Sequence, residues 1–404
     1  MRHATLNINI MATQINKLIA LLASAAIFSC QSERNGKASL THDTKAVFEF
    51  LDSVVVTSLA ELYISDKDPQ TNRLLLNDWE MNELIVTDLK GEVISRFEPR
   101  GEGPHQVQSP LELGFWKEGF LVKEISAGQH FHFFNSEFEK IIKSPALADG
   151  ITLISMPNSG KSFSQVTKDG KSLLVGYEHN ALAPQLWAPE AQHPSLYEKA
   201  ETGYIYEPAS GNLARFNLYP ETWRPRAEQK WAGMAYPQIQ VAGSDQVVAI
   251  LPNFGNQLFY YTLNDSSIQP LAEIKLRHPE RDEKIRFDVE KDDSILYPFF
   301  SRLMGGGDYF LVEFTTAFPR DLYESFRAKG ENFNADPEYR EALEKFYQSK
   351  YILTDTQGNQ AAISELPVPG VVSFLDADDI LYIKPTMETE LDYNVFYRYR
   401  VSLD

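Results

Sequence analysis

The part of the chain that comes nearest to a known ligand-binding motif is residues 155–162. This stretch matches a phosphate-binding P-loop, whose backbone N–H groups cradle a phosphate, except that Ser155 stands where the first glycine belongs. A P-loop also joins a strand to a helix, and no helical pattern follows Ser162. We therefore interpret the match as a coincidence.

Two further groups of side chains have the chemistry of metal ligands. Residues 376–379 begin like a calcium loop, but the next two residues are apolar where a ligand and a glycine are needed, so we interpret the run as an acidic turn between two strands. His130 and His132 alternate on one predicted strand and share a face, but no carboxylate at a suitable spacing completes a metal site. The sequence contains no Gly-x-Ser-x-Gly and no His-Glu-x-x-His motif. We expect no bound metal and no cofactor.

Cys30 is the single cysteine of the chain, and its position indicates lipidation. It follows the small residue Ser29 and an apolar run at residues 18–28, which is too short for a membrane span of about 20 residues and suits a secretory signal. The arrangement resembles the bacterial lipobox, whose cysteine is acylated and becomes the mature N-terminus. We expect residues 1–29 to be a signal peptide and Cys30 to carry fatty-acyl chains. An ordinary cleaved signal with an incidental cysteine is the alternative.

The charge of the chain limits its partners. Its formal net charge is −18, and such a chain repels phosphate backbones and anionic headgroups. We therefore expect no nucleic-acid partner, and a membrane partner only through the N-terminal lipid. Residues 30–45 are polar and are predicted to form a flexible tether. The expected address is the cell envelope, at the outer membrane, with the leaflet left open.

Residues 46–404 are predicted to form a single all-β domain. Short runs of β-branched and aromatic residues, closed by Asp, Asn or Gly turns, recur in units of four strands. The units lie near residues 61–97, 113–142, 163–216, 239–276, 299–365 and 371–401. Six units predict a six-bladed β-propeller, which the spare strand at residues 47–58 would close by joining the last blade. A seven-bladed ring and a large β-sandwich are the alternatives.

Residues 84–114 add a resemblance to this pattern. A hairpin followed by a glycine- and proline-rich crossover is similar to the NHL- or TolB-like blade of six-bladed propeller lipoproteins of Bacteroidetes. The matching positions are Asp88, Gly91, Phe97, Gly101, Gly103, Pro104 and Pro110. With its length and lipobox, the chain also resembles a Bacteroidetes lipoprotein family known only as a domain of unknown function. That resemblance implies a fold and an address, but no activity.

Two insertions interrupt the strands. Asp336 and Pro337 are typical of a helix start, and the pattern after them predicts an amphipathic helix at residues 338–350, which makes a helical insertion near residues 336–350. Its apolar face would consist of Tyr339, Leu343, Phe346 and Tyr347. A second insertion is expected at residues 180–203. Rim insertions can shape a binding face, but we prefer to interpret them as packed decorations.

Candidate binding residues lie in the crossover after the first blade and in the second insertion. They are Arg100, Glu102, His105 and Trp187. On one interpretation the crossover residues point into a ligand groove. On the preferred one, the glycines and proline of this loop provide the backbone shape for entry into the next blade, and no ligand is needed to explain them.

Two classes of function remain open. The first is a binding module that recognises a glycan, a peptide or a partner protein through aromatic side chains such as Trp187, Trp223, Trp231 and Tyr236. The second is a metal-assisted hydrolase or lyase with its site in the central channel. We favour binding because the sequence shows no convergent acid/base pair. Three or more Asp, Glu, Asn or His side chains converging in the channel would favour the enzyme.

Overall fold

The structure is a computed structural model. It describes residues 44–78, 80, 82–150, 161–182, 186, 193–243, 246–282, 285, 287, 293–387 and 392–404. Cys30 and Trp187 lie outside these residues, so what was expected of them stays a prediction. In the described ranges no helix is long and apolar enough to cross a membrane.

The described chain forms six antiparallel sheets of four strands each. Blade 1 contains β2 (Leu62–Asp68), β3 (Arg73–Asp78), β4 (Glu83–Thr87) and β5 (Val93–Phe97). Blade 2 contains β6 (Pro110–Trp116), β7 (Gly119–Glu124), β8 (Phe131–Phe134) and β9 (Lys140–Lys143). Blade 3 contains β10 (Phe163–Lys168), β11 (Lys171–Tyr177), β12 (Gly203–Glu207) and β13 (Asn212–Phe216).

The remaining three blades follow the same order. Blade 4 contains β14 (Gln238–Ala242), β15 (Val247–Leu251), β16 (Gln257–Leu263) and β17 (Ile268–Lys275). Blade 5 contains β18 (Phe299–Gly305), β19 (Tyr309–Thr315), β20 (Ser349–Asp355) and β21 (Gln360–Ile363). Blade 6 contains β22 (Gly370–Leu375), β23 (Ile380–Pro385), β24 (Tyr393–Leu403) and the N-terminal strand β1 (Ala46–Thr57). The predicted six-bladed all-β fold is confirmed.

The core of the propeller lies between the faces of neighbouring blades. The cluster shared by blades 6 and 1, for example, contains the fully buried side chains of Phe396, Tyr382, Leu62 and Ile85. Burying a large apolar side chain stabilises a fold by about 1.5–3 kcal/mol, so each interface contributes strongly. The first strand of each blade (β22 in blade 6) lies at the inner edge of its sheet, and most neighbouring inner strands contact each other.

The ring is closed by β1, as the sequence predicted. β1 pairs antiparallel with β24, and Val54 and Val56 of β1 are fully buried in the cluster between blades 6 and 1. Gly91, in the β4–β5 turn of blade 1, has φ +89°, and a Cβ there would come within 1.9 Å of the Val55 carbonyl oxygen. Glycine at this position therefore lets the first blade approach the closing strand closely.

Four short α-helices lie in the connections of the described residues. They are α1 (Leu196–Lys199), α2 (Arg224–Ala227), α3 (Arg320–Arg327) and α4 (Pro337–Phe346). The sequence predicted only α4, whose N-terminus is capped as expected, since the Glu338 N–H donates to the Asp336 carboxylate (2.9 Å).

The predicted C-terminal end of that helix, at residue 350, is wrong. α4 ends at Phe346 because Ser349 already begins β20, which pairs with β19 along its whole length. α3 and α4 bury Phe318, Tyr323, Phe326 and Tyr339 in a small core of their own. The insertion is therefore packed largely on itself, as the preferred interpretation held.

The long connections all lie at one end of the inner strands. Strands alternate in direction within each blade. The links between blades, and the links between the second and third strands of a blade, therefore start and finish at the end where the inner strands begin. The longest of these connections are residues 178–202, 217–237, 276–298 and 316–348. At the opposite end, the described connections are short hairpin turns, and β1 begins and β24 ends there.

Candidate functional site

A central cavity of about 1140 Å³ lies among the inner strands of all six blades. Its lining reaches the turns at the ends of these strands, for example residues 305–308 and 377–379. Ligand pockets commonly enclose about 300–1,000 Å³, so the cavity is large enough for a ligand of several rings. The lining includes short turns that follow the inner strands, and it includes none of the described residues of the four longest connections.

Some polar side chains of the inner strands bind backbone groups of the neighbouring blade. An inner strand has no neighbour on its free edge, so its backbone N–H groups need other acceptors. The N–H of Leu303 donates to Gln238 Oε1 (2.8 Å), and the N–H of Val241 donates to Ser164 Oγ (3.1 Å). These bonds join neighbouring blades, and they leave the side chains concerned less available to a ligand.

The predicted acidic turn at residues 376–379 joins blade 6 to blade 1. The Asp376 carboxylate accepts the N–H groups of Asp378 and Ile380, and its second oxygen lies 2.9 Å from Lys67 Nζ of blade 1. Burial lowers the pKa of Lys67, but the hydrogen bonds and charges of Asp378 and Asp376 outweigh burial and raise it. The run is therefore a structural turn, as interpreted from the sequence.

Asp379 joins the same turn to blade 5. Burial raises the pKa of its carboxyl to about 6, although the N–H groups of Asp308, Gly307 and Tyr309 donate to it and act in the opposite direction. The close approach depends on glycine, because a Cβ on Gly306 would come within 2.6 Å of Asp379 Oδ1. Asp379 is thus a carboxyl that changes charge near pH 6.

An ion pair between Lys161 and Asp66 lies in the cavity wall. Lys161 Nζ is 2.6 Å from Asp66 Oδ1, and the second Asp66 oxygen accepts the Phe115 N–H (2.9 Å). The ammonium also lies 5.9 Å from the ring centroid of Phe374. A Cβ on Gly114 would come within 3.0 Å of Asp66, so glycine leaves room for the pair.

Lys161 and Ser162 end the P-loop-like stretch, and the structure gives both of them other roles. The strand β10 follows them, where a P-loop requires a helix. Ser162 Oγ donates to Glu112 (2.8 Å) and accepts from Lys123 Nζ (2.7 Å). These contacts agree with the interpretation of the motif as a coincidence.

Lys123 is buried between two carboxylates, a feature that the sequence analysis missed. Its Nζ lies 3.2 Å from Glu112 and 3.0 Å from Glu178, and all three side chains are more than nine-tenths buried. Burial lowers the pKa of Lys123, but the charges of Glu112 and Glu178 outweigh burial and raise it. The cluster joins blade 2 to the insertion of blade 3.

The two histidines are held by separate partners. His132 Nε2 lies 2.8 Å from Glu124 Oε2, whereas His130 Nδ1 lies 2.9 Å from the Ser144 carbonyl oxygen. Burial lowers the pKa of His132. Within the described residues no three His, Cys, Asp or Glu side chains lie close enough to hold a metal ion.

The crossover candidates do not line the central cavity. Arg100 Nη1 donates to Asn82 Oδ1 (3.1 Å), and His105 Nδ1 accepts the Lys140 N–H (3.0 Å). Glu102 is exposed. The loop lies at the end of the propeller with the long connections, where these bonds hold it to blades 1 and 2.

Trp223, one of the aromatic candidates, does not lie on a binding face, so the prediction from the sequence was wrong for this residue. It is fully buried, donates its indole N–H to the Phe254 carbonyl (3.1 Å) and packs edge-on against Tyr197. Trp231 is half-buried and stacks on the same tyrosine, with ring centroids 5.3 Å apart. Both tryptophans lie in the connection between blades 3 and 4 and pack against the core that these blades share.

These observations define the class of the protein as a six-bladed β-propeller with a central cavity. No protein-family model and no curated protein matches the sequence. Among solved structures, the chain is similar to a member of the DUF4221 family from Bacteroides vulgatus, with a TM-score of 0.60, 10% identity and coverage of 89% of this chain and 99% of that chain. This similarity supports the fold and agrees with the expected resemblance to a Bacteroidetes propeller of unknown function.

Two enzymes are also similar at low scores. A streptogramin B lyase matches with a TM-score of 0.37, 10% identity and coverage of 89% of this chain and 98% of that chain. A gluconolactonase from Xanthomonas campestris matches with a TM-score of 0.38, 10% identity and coverage of 91% and 93%.

Proposed function

We propose that this chain is an exported lipoprotein, anchored at the outer membrane through Cys30, whose propeller binds a ligand in the central cavity. A β-propeller is a fold suited to binding, since its blades hold a rigid set of side chains around one axis. The observation that carries the proposal is the cavity itself, which is lined by all six blades and has room for a ligand of several rings. The anchor rests on the lipobox-like sequence before Cys30.

The charges of the cavity favour a polar ligand without net charge. Its lining contains six carboxylates and five cationic side chains, so it has almost no net charge inside a chain of −18. An anion would be repelled by the protein as a whole and would find no excess of positive charge in the cavity. A glycan is therefore the favoured ligand, ahead of a peptide or a partner protein, and nucleic acid is not expected.

A thermal-shift experiment on the mature lipidated protein tests this proposal. The protein is held in a detergent without sugar groups and heated with a panel of glycans and peptides, because a ligand that binds only the folded state raises the melting temperature. Ser373, which lines the cavity, is replaced by tryptophan to fill it, and Ser136→Trp on an exposed turn is the matched control.

We expect Ser373→Trp to abolish the ligand-induced shift and Ser136→Trp to leave it unchanged. A shift that survives Ser373→Trp in full would contradict the location in the cavity.

A further inference from the structure

We propose that the Lys161–Asp66 ion pair is the point at which the cavity recognises its ligand, and that the ligand is a neutral sugar chain presenting two neighbouring hydroxyl groups to this pair. The inference rests on the proposed function, since it requires a ligand in the central cavity. It adds the residues that select the ligand and the pair of neighbouring hydroxyl groups that they bind.

Lys161 is more accessible to a ligand than two other cations of the cavity lining. Two other cations of the lining are held tightly, with Lys67 bound to Asp376 and Arg302 bound to Glu313 at 2.8 Å, and their side chains are only 3% and 7% exposed. The Lys161 side chain is 20% exposed. An ammonium has three N–H donors, and in the described part of the chain Asp66 is the one side-chain acceptor shown for Lys161.

The ion pair has hydrogen-bonding positions that are not used within the described structure, where the Lys161 side chain is 20% exposed and the Asp66 side chain 9%. Each carboxylate oxygen of Asp66 has two lone pairs and accepts one bond in the structure, from Lys161 Nζ or from the Phe115 N–H. The carboxylate can therefore accept one more hydrogen bond, and the ammonium can donate another. Neighbouring hydroxyls of a sugar ring supply a donor and an acceptor side by side, and hydrogen bonds to ions are about twice as strong as neutral ones.

The opposite charges of Lys161 and Asp66 favour a neutral ligand. Hydroxyl groups bind both members of the pair without changing its charge balance, whereas a ligand carboxylate would face Asp66 and a ligand ammonium would face Lys161. The nearly balanced charge of the whole cavity lining also favours a ligand without net charge. Sugars that carry acidic or amino groups should therefore bind less well than neutral ones.

Two phenylalanines lie close to the ion pair in the cavity wall. Phe115 and Phe374 line the cavity, and both are half-buried. The backbone N–H of Phe115 bonds to Asp66, and the ring of Phe374 lies 5.9 Å from the Lys161 ammonium. Aromatic faces next to polar groups suit a sugar ring, which is apolar on its C–H faces and polar at its edge.

Calorimetric titration of the mature lipidated protein tests the inference with three tetrasaccharide probes. Cellotetraose is neutral, tetragalacturonic acid is anionic, and the chitosan tetramer is cationic. The double variant Asp66→Asn/Lys161→Met removes the pair without leaving an unpaired charge, and the asparagine keeps an acceptor for the Phe115 N–H. Lys168→Met, at the C-terminal end of β10 and outside the cavity lining, is the control.

We expect cellotetraose to bind best. The double variant should weaken its binding at least about tenfold, the effect of losing one or more hydrogen bonds to charged groups. Lys168→Met should bind like the unaltered protein, and the melting temperatures of both variants should show that they remain folded.

Other outcomes separate this inference from the proposed function. If the double variant binds cellotetraose normally while Ser373→Trp abolishes binding, the cavity holds the ligand and the role of the pair is refuted. If neither variant has an effect, both proposals fail. Preference for a charged tetramer refutes the chemical class, and so does the absence of binding to every saccharide at millimolar concentration.

Discussion

Replacing Val54 by alanine tests whether β1 is a structural part of the last blade. Val54 is fully buried between blades 6 and 1, whereas Val55, on the opposite face of the same strand, is 42% exposed. The substitution removes two methylene equivalents from a packed site, or about 1.6 kcal/mol of transfer free energy, and the cavity left behind raises the loss to about 2–3 kcal/mol. Val55→Ala should change the free energy of unfolding by no more than about 0.5 kcal/mol.

The assay is urea-induced unfolding of the lipidated protein followed by tryptophan fluorescence. We expect a lower midpoint for Val54→Ala than for Val55→Ala, with the same dependence of the free energy on urea concentration in both variants. Equal midpoints would refute the reasoning, because they would mean that β1 is not packed between the two blades.

Three further predictions follow from the sequence and the structure. Cys30→Ser should move the protein from the membrane fraction to a soluble or uncleaved precursor form, as judged by fractionation and mass, and normal processing with full membrane retention would refute lipidation. Asp379 has a folded-state pKa of about 6 against an ordinary 3.8, so its favourable contribution is complete below about pH 4 and is lost as the pH rises through 6. The difference in melting temperature, Asp379→Asn minus the unaltered protein, should therefore become more positive between pH 4 and pH 7. A difference that stays constant over this range would refute the raised pKa of Asp379. Lys123→Met leaves Glu112 and Glu178 buried without their cation and should cost about 3–5 kcal/mol of stability in urea unfolding, whereas a loss below about 1 kcal/mol would contradict the buried cluster.

Much of the fold could be predicted because each blade carries its own local signals. Asp88 accepts the N–H groups of Lys90 and Glu92 in the β4–β5 turn, and Asp355 accepts two N–H groups in the β20–β21 turn of blade 5. Such turns are encoded within about five residues, so a sequence shows them directly. The C-terminal end of α4 was not predictable in this way, because pairing of β20 with β19 across the insertion decides it.

The candidate site was hidden because its members are far apart in the sequence. Asp66 and Lys161 come from blades 1 and 3, and no spacing rule relates them. One signal was available, since Asp66 and Lys67 directly follow the apolar start of β2, and charges that become buried in a sheet require partners. Trp223 was predicted to contact a ligand but is buried. The sequence around an aromatic residue in a connection does not show whether the ring packs in a core or faces a ligand.

Photo-crosslinking with a diazirine-bearing cellotetraose, followed by mass spectrometry of the labelled peptides, tests the location of the ligand most directly. Binding in the central cavity predicts labels within residues 63–70, 111–117 and 373–380, which line the cavity in blades 1, 2 and 6. These labels should disappear with excess unlabelled cellotetraose. The account would be contradicted if the labels that excess cellotetraose removes were confined to the insertions at residues 217–237 or 316–348. Those insertions do not line the cavity.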